Sequence, residues 1–553
     1  MHPLLSHQES TPSGASEEDN TLPKASGEDS TLSEASEEDN MLSKGSEEDN
    51  TLSEASEEDN MLSEGSEGSE EDNTLSEASG EDNTCSEGSE EDSTHSETSG
   101  EDSTLSQESE AEESVGQPLY PADEIDDDPA IFFEAVISQL QRDEIAPVVQ
   151  SLHQQLFPGE SPIDVEILDP IYGSFNVLFP IRFAGRKRWL LKIPSHGVKD
   201  HWNELAAQAL VAEATTMRAL KADTTIPVPQ VFDFSPTTDN TLGCPYMLIE
   251  YIDGVPLYEV WFANRAQGLD DLVVHRRRTT ALKGIASAMS QLSIYSSTKT
   301  GSPIFDSSFK LTDVSALRFM DRQSMVNRLF DDQDDGTEPI YLPIEPFSNP
   351  RQYYTFPLGL HKKKENWVFE EPFVFAHPDF DIQNFIVNEE GELQAIIDWD
   401  GVCTVPRSIG NLSLPGWLTR DWDPAMYGYQ ESMEEGKKPI GVWENSPEEL
   451  SRYRQIYRCF MTGIPEGQAE KDKADLTSMS LIMENLCIAG REPICRAEIV
   501  EKMIEEICKK VPGEFSCSAV SLEVDIEDDD VEASVLATLR AGFEAMLRDS
   551  HTL

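Results

Sequence analysis

Residues 376–400 read AHPDFDIQNFIVNEEGELQAIIDWD. His377, Asp379, Asn384 and Asp398 stand where runs of apolar residues break off. Runs such as FIV and LQAII have the length and composition of strands, so the polar residues are expected at strand ends, where loops carry chemistry. Such an arrangement suits either a reaction centre or a hairpin with Asx caps. The rest of the chain has to decide between them.

The 553 residues carry a formal net charge of −65, unevenly placed. Residues 1–128 hold 41 acidic residues against two lysines, whereas the remainder holds 65 acidic against 39 basic. The first segment is therefore a separate physical object. A ten-residue unit recurs through it, as in ASEEDNMLSK, GSEEDNTLSE and ASEEDNMLSE over 35–64. Each unit offers a single leucine to bury. Ordering a residue costs roughly 1–2 kcal/mol, which this composition does not offset, so a disordered tail is expected. Serine followed by Glu-Glu-Asp suits an acid-directed kinase, and the charge suits basic protein partners; a merely solubilising tail has the same composition. So acidic a segment repels phosphate, which argues against nucleic acid as a partner.

The eight cysteines are scattered without a CxxC pair, so neither a zinc site nor a disulfide framework is expected, and a reducing compartment is the simpler reading. The opening MHPLLSHQES lacks a basic segment followed by an apolar one. No apolar run approaches the ~20 residues of a bilayer span, so no membrane is expected and a cytoplasmic chain is.

About 425 residues remain for the folded part. The stretch DPAIFFEAVISQLQRDEIAPVVQSLHQQLF (128–157) has helical spacing. VEILDPIYGSFNVLFPIRFAGRKRWLLKIP (165–194) alternates and turns at Gly173 and Gly185, which predicts three antiparallel strands. HWNELAAQALVAEATTMRALKAD (201–223) predicts a helix, and QVFDFS and YMLIEYI two further strands. After Tyr251 the pattern becomes helical, with a stripe at Leu282, Ile285, Met289 and Leu292. Residues 300–370 read as loop-rich and include Lys362, Lys363 and Lys364. The last helix places Val531, Val535, Leu539, Phe543 and Met546 on one face. The expected parts are a tail (1–128), helices with a small lobe (129–252) and a helical lobe (253–553).

This order of elements, with His-x-Asp-x4-Asn in HPDFDIQN and the Ile-Asp-Trp of AIIDWD, resembles the aminoglycoside phosphotransferase (phosphotransferase enzyme) family, in its fungal form. EATTMRAL, TTIPVPQVF and PYMLIEYIDGVPL match the family's phrasing as well. The likeness covers roughly residues 165–410 and only loosely the C-terminal helices. It implies a bilobal α+β protein-kinase-like fold that uses ATP and Mg²⁺ to phosphorylate a hydroxyl of a small molecule.

Such chemistry is chiefly positioning and neutralisation of charge on the phosphoryl oxygens. The resemblance implies Asp379 as the group that accepts or orients the hydroxyl proton, and His377 as the residue fixing the loop. It implies Asn384 and Asp398 as oxygen ligands of Mg²⁺. Lys192 would contact the α- and β-phosphates and Glu213 would hold it extended, with Glu204 as the second candidate partner. Gly173, Ser174, Phe175 and Asn176 take the place of a glycine-rich loop but keep one glycine, so the signal is weak. The hinge IEYI locates two backbone contacts to adenine, at Glu250 and Ile252. Asp381 is expected to be solvated, or else to tune the loop or touch substrate, and Asp400 to lie near the metal or simply in an Asp-Gly turn. The acceptor pocket falls in 300–370 and 411–553. There LPGWLTRDWDPAMYGY (414–429) offers Trp and Asp to a cationic acceptor, or only core aromatics. No Ala-Pro-Glu element or activation segment follows Asp398, so a peptide groove has little support. The alternative from another class is a nucleotide-binding pseudokinase serving as an interaction platform through its acidic tail.

Overall fold

The computed structural model describes residues 130, 133–160, 164–184, 188–321, 341–358, 371–462, 468–511, 517–518, 520–522 and 531–548. The expectations for the tail at 1–128 and for Lys362–Lys364 lie outside the described residues.

The apolar stretch before the sheet forms two helices, α1 (Glu134–Gln139) and α2 (Arg142–Leu156). They break where Leu140 turns extended and Gln141 N–H reaches Leu242 O at 2.9 Å. The small lobe follows as β1 (Val165–Ile167), β2 (Ile171–Tyr172), β3 (Asn176–Phe183), β4 (Arg188–Pro194), α3 (Glu204–Asp223), β5 (Val231–Ser235) and β6 (Tyr246–Glu250). The sheet is antiparallel in the order β1-β3-β4-β6-β5, with β2 paired to β3.

Strand parity sorts the side chains. Val177, Phe179 and Ile181 lie opposite Ile193, Leu191 and Trp189, and all six pack under α1 and α2 with Phe133, Val136, Ile145 and Val149. The intervening positions, Leu190 and Lys192 on β4, face the other way. That second face meets α3, whose Ala206, Ala209, Ala212 and Ala214 are buried and let the helix approach the strands closely. Asn203 caps α3, its side chain accepting from Ala206 N–H at 3.0 Å.

The larger lobe begins with α4 (Leu257–Trp261), α5 (Ala263–Gln267) and α6 (Asp271–Gln291). The α6 stripe Leu282, Ile285 and Met289, with Leu292 just beyond, is buried as its spacing predicts. Helices Pro447–Thr462, Gln468–Arg491, Pro493–Lys510 and Ala533–Arg548 complete the lobe. The core that α3 enters runs on through Trp261, Phe375, Phe385, Trp399, Trp417 and Tyr453, so the two lobes share one apolar cluster. Within the region read as loop-rich, the described residues form two hairpins, Ser302–Phe305 with Leu311–Ser315 and Leu317–Met320 with Tyr341–Ile344, and a short helix, Pro350–Thr355. The layout is the bilobal α+β protein-kinase-like one. Among the described residues no helix is long and apolar enough to cross a membrane.

Candidate active site

The HPDFDIQN segment leaves strand Phe373–Ala376, turns through His377 to Asp381, makes one 3-10 turn (Ile382–Asn384) and enters strand Phe385–Val387. His377 is buried. Its Nδ1 accepts from Asp379 N–H at 3.3 Å, which leaves the ring proton on Nε2 to be donated to Ile397 O at 2.9 Å. Burial holds the imidazole below its usual range, hence neutral. His377 therefore ties the loop to the residue just before Asp398.

Asp379 Oδ2 accepts from Asn384 Nδ2 at 2.9 Å and from Gln383 Nε2 at 3.0 Å. The other Asn384 Nδ2 proton goes to Asp379 O at 2.8 Å. Both amide protons being spent there, Asn384 presents Oδ1 as its remaining polar atom. Burial, reinforced by the charge of Asp381, raises the Asp379 carboxyl above its ordinary value.

Asp398 lies two residues past strand Leu393–Ile396, not within a strand, in the left-handed region at φ 61°. A non-glycine residue held there costs about 1–3 kcal/mol, and such strain gathers at functional sites. The conformation aims its carboxylate at the small lobe. Lys192 Nζ lies 3.1 Å from Asp398 Oδ1 and 2.7 Å from Glu213 Oε1. Glu213, and not Glu204, is thus the partner on α3; Glu204 accepts from Gln208 instead. Burial works against the lysine charge, yet Glu213, Asp398 and the nearby Asp400 together outweigh it and keep Lys192 protonated. Burial pushes Glu213 up to about 7, with Lys192 opposing.

The donor set fits Mg²⁺. Asp398 offers a carboxylate on a side chain 44% exposed and Asn384 an amide oxygen not used by its own bonds to Asp379, and Mg²⁺ typically takes one or two protein oxygens with phosphates and waters filling its octahedron. Among the described residues no group of three or more His, Cys, Asp or Glu could hold a metal unaided.

Other expected positions are less complete. Gly173 N–H closes the β2–β3 turn on Asn176 O at 2.9 Å, so it is not a free phosphate donor. Ser174 and Phe175 lie exposed at the tip. Glu250 N–H is bonded to Gln230 O at 2.9 Å, which leaves the carbonyl of Glu250, with Ile252 two residues on, to meet a base edge.

Two cations escaped the sequence reading. Arg420 Nη2 lies 2.5 Å from Asp381 Oδ2 and Nη1 lies 3.5 Å from Glu444, whose carboxyl burial pushes up to about 7. Asp381 is therefore ion-paired and not solvated. Arg318 Nη2 lies 2.7 Å from Asp400 Oδ2, so Asp400 is more than a turn residue, although Gly401 does take the left-handed turn conformation at φ 81°. Burial raises Asp400, but Arg318 and Lys192 outweigh it and leave the carboxyl low. Neither pairing has a local signature, because the partners are 39 and 82 residues apart. In the 414–429 stretch Trp417 and Trp422 are core residues and Asp421 pairs with Arg454 at 2.7 Å. The reading of that stretch as core aromatics holds.

No family model matches the chain. A subtelomeric hrmA-associated cluster protein of Aspergillus fumigatus is 28% identical over 102 residues, 18% of this chain and 19% of the relative. Altered inheritance of mitochondria protein 9 of Debaryomyces hansenii is 25% identical over 176 residues, 31% of this chain and 27% of the relative. The chain thus spans about a fifth to a quarter of the length of these curated relatives. Among solved structures, aminoglycoside phosphotransferase APH(4)-Ia in complex with AMP-PNP and hygromycin B is 15% identical, with 64% of this chain and 98% of that chain covered at a TM-score of 0.31. Plasmodium vivax ethanolamine kinase is 10% identical, with 73% and 91% covered at 0.31. A putative fructosamine-3-kinase of Thermobifida fusca is 14% identical, with 65% and 97% covered at 0.32. In the order of its elements the chain is similar to these solved small-molecule phosphotransferases and kinases.

Proposed function

We propose that the protein is an ATP- and Mg²⁺-dependent O-phosphotransferase acting on a hydroxyl of a small molecule. The observation that supports this best is Lys192, which bridges Glu213 of the small lobe and a conformationally strained Asp398 of the large one. A structural ion pair needs no strained carboxylate. In the proposed reaction the bond from Pγ to the β-phosphate oxygen breaks, a bond from Pγ to the acceptor oxygen forms, the hydroxyl proton passes to Asp379 Oδ and ADP leaves. Lys192 would hold the α- and β-phosphates, and Asn384 Oδ1 with Asp398 would hold Mg²⁺, which supplies charge neutralisation between the phosphates. His377 keeps Asp379 and Asp398 in register through Ile397.

The platform reading retains one supporting observation, the turn at Gly173 whose N–H is already bonded. A thermal-shift series with AMP-PNP and Mg²⁺, followed by ADP release in the presence of primary alcohols, sugars and amino alcohols, separates the two. Stabilisation together with acceptor-stimulated ADP release supports the enzyme. Stabilisation with turnover unaltered by any acceptor favours the platform, and the absence of any shift removes both.

The raised Asp379 carboxyl gives a pH dependence with a definite sign. As the base it works deprotonated, so kcat/KM should fall as pH drops through its pKa, which lies above the ordinary carboxylate value. Asp381 contributes to that elevation. Asp381→Asn should therefore move the acidic limb of the kcat/KM profile to lower pH; an unmoved or upward-shifted limb would remove Asp379 from the role.

A further inference from the structure

The strand pair Leu317–Met320 with Tyr341–Ile344 lies in the region assigned from sequence to the acceptor pocket, yet it delivers a cation to Asp400, two residues past Asp398. Arg318 stands opposite Pro343 in that pair, and its guanidinium lies 4.4 Å from the ring centroid of Tyr341. The side chain is 10% exposed, less than its partner Asp400 at 27%. Asp400 in turn acts on Lys192, and the Arg318 charge is felt at His196 beside β4. Arg318 and Lys192 thus flank one acidic cluster of Glu213, Asp398 and Asp400.

We propose that Arg318 is a phosphate-binding residue of this site: with a nucleoside triphosphate bound, its guanidinium leaves Asp400 and takes the γ-phosphoryl oxygens. This rests on the phosphotransferase reading above and deepens it. Two features favour it over a purely structural pair. Gly173 N–H is spent within its own turn, so one loop donor to the outer phosphates is lost, which a planar, permanently charged fork can replace bidentately. And among the described residues the ion-pair partner printed for this largely buried cation is Asp400, which it can exchange for phosphate without losing charge compensation. In phosphoryl transfer an arginine so placed neutralises the charge on the equatorial oxygens while the Pγ bond shifts from ADP to the acceptor.

The test is nucleotide discrimination by the full-length protein, read as calorimetric affinity for Mg·AMP-PNP against Mg·ADP. Arg318→Gln should weaken AMP-PNP at least about tenfold and ADP less than about twofold, and Arg318→Lys should recover part of the difference. Asp400→Asn, which frees the arginine, should tighten AMP-PNP relative to ADP and decides the matter should Arg318→Gln not fold. Equal weakening of both nucleotides, or no change in their ratio in Asp400→Asn, makes Arg318 a structural partner of Asp400 and overturns the proposal. Wild-type protein that binds neither nucleotide overturns the phosphotransferase reading itself.

Discussion

Replacement of Asp379 by Asn is expected to lower kcat by about 10²–10⁴-fold, the range of a lost general base, while the affinity for Mg·AMP-PNP stays within about threefold. The substitution preserves volume. An Asn side chain at 379 keeps an oxygen for the protons of Asn384 Nδ2 and Gln383 Nε2, which now bond Asp379 Oδ2 at 2.9 and 3.0 Å. His377 keeps the loop, because its bonds go to the backbone of Asp379 and Ile397. What disappears is the capacity to take a proton. The cluster of Lys192, Glu213 and Asp398 proposed to hold the nucleotide is not altered. Single-turnover ADP formation and nucleotide titration, run on one preparation, give both numbers. A kcat within threefold of wild type would mean that the hydroxyl proton leaves by another route. A large loss of nucleotide affinity would mean that Asp379 serves the metal and not the acceptor.

Residues of the site that act through local chain geometry could be read from the sequence; those that act across it could not. HPDFDIQN and AIIDWD each fix a loop within a dozen residues, and strand parity places Lys192 on the α3 side as soon as the apolar face of β4 is known. The choice between Glu213 and Glu204 needs the rotation of α3 about its axis, which an alanine-rich helix with polar residues on several faces does not reveal. Arg318 and Arg420 are invisible because each meets its carboxylate only after the large lobe has closed. Trp417 and Trp422 illustrate another limit: an aromatic in a pocket and one in a core have the same spelling, and only packing against Trp261 and Phe385 decides for the core at Trp417. The region 300–370 looked loop-rich because its strands are four or five residues long and lack alternation.

Arg278 is the last residue of the His-Arg-Arg-Arg run at 275–278, and its loss should be the costliest to stability. It is 2% exposed. Nε donates to Trp261 O at 2.6 Å, Nη1 to Glu449 Oε1 at 3.1 Å and to Tyr453 Oη at 3.3 Å, and Nη2 to Asn264 Oδ1 at 3.2 Å. The guanidinium also lies 5.3 Å from the Trp261 ring and 5.4 Å from the Tyr453 ring. Arg278→Met keeps the bulk but strands a buried carbonyl and takes one cation from Glu449, so the expected loss is about 3–5 kcal/mol. Arg276→Met, at an exposed position of the same helix, should stay within about 0.5 kcal/mol. The pH dependence sets the electrostatic part apart from the packing part. Burial raises the Glu449 carboxyl, but Arg278, Asn445 and Arg265 outweigh it and hold the group below its ordinary value. A depressed carboxyl contributes stability above its unfolded-state pKa and loses it as pH falls through the folded value. Removing Arg278 shrinks that depression, so the gap in melting temperature between variant and wild type should be widest near pH 7 and narrow towards pH 4. A gap that does not change with pH would assign the whole loss to packing and to the bonds at Trp261, Tyr453 and Asn264, and none of it to the charge on Glu449.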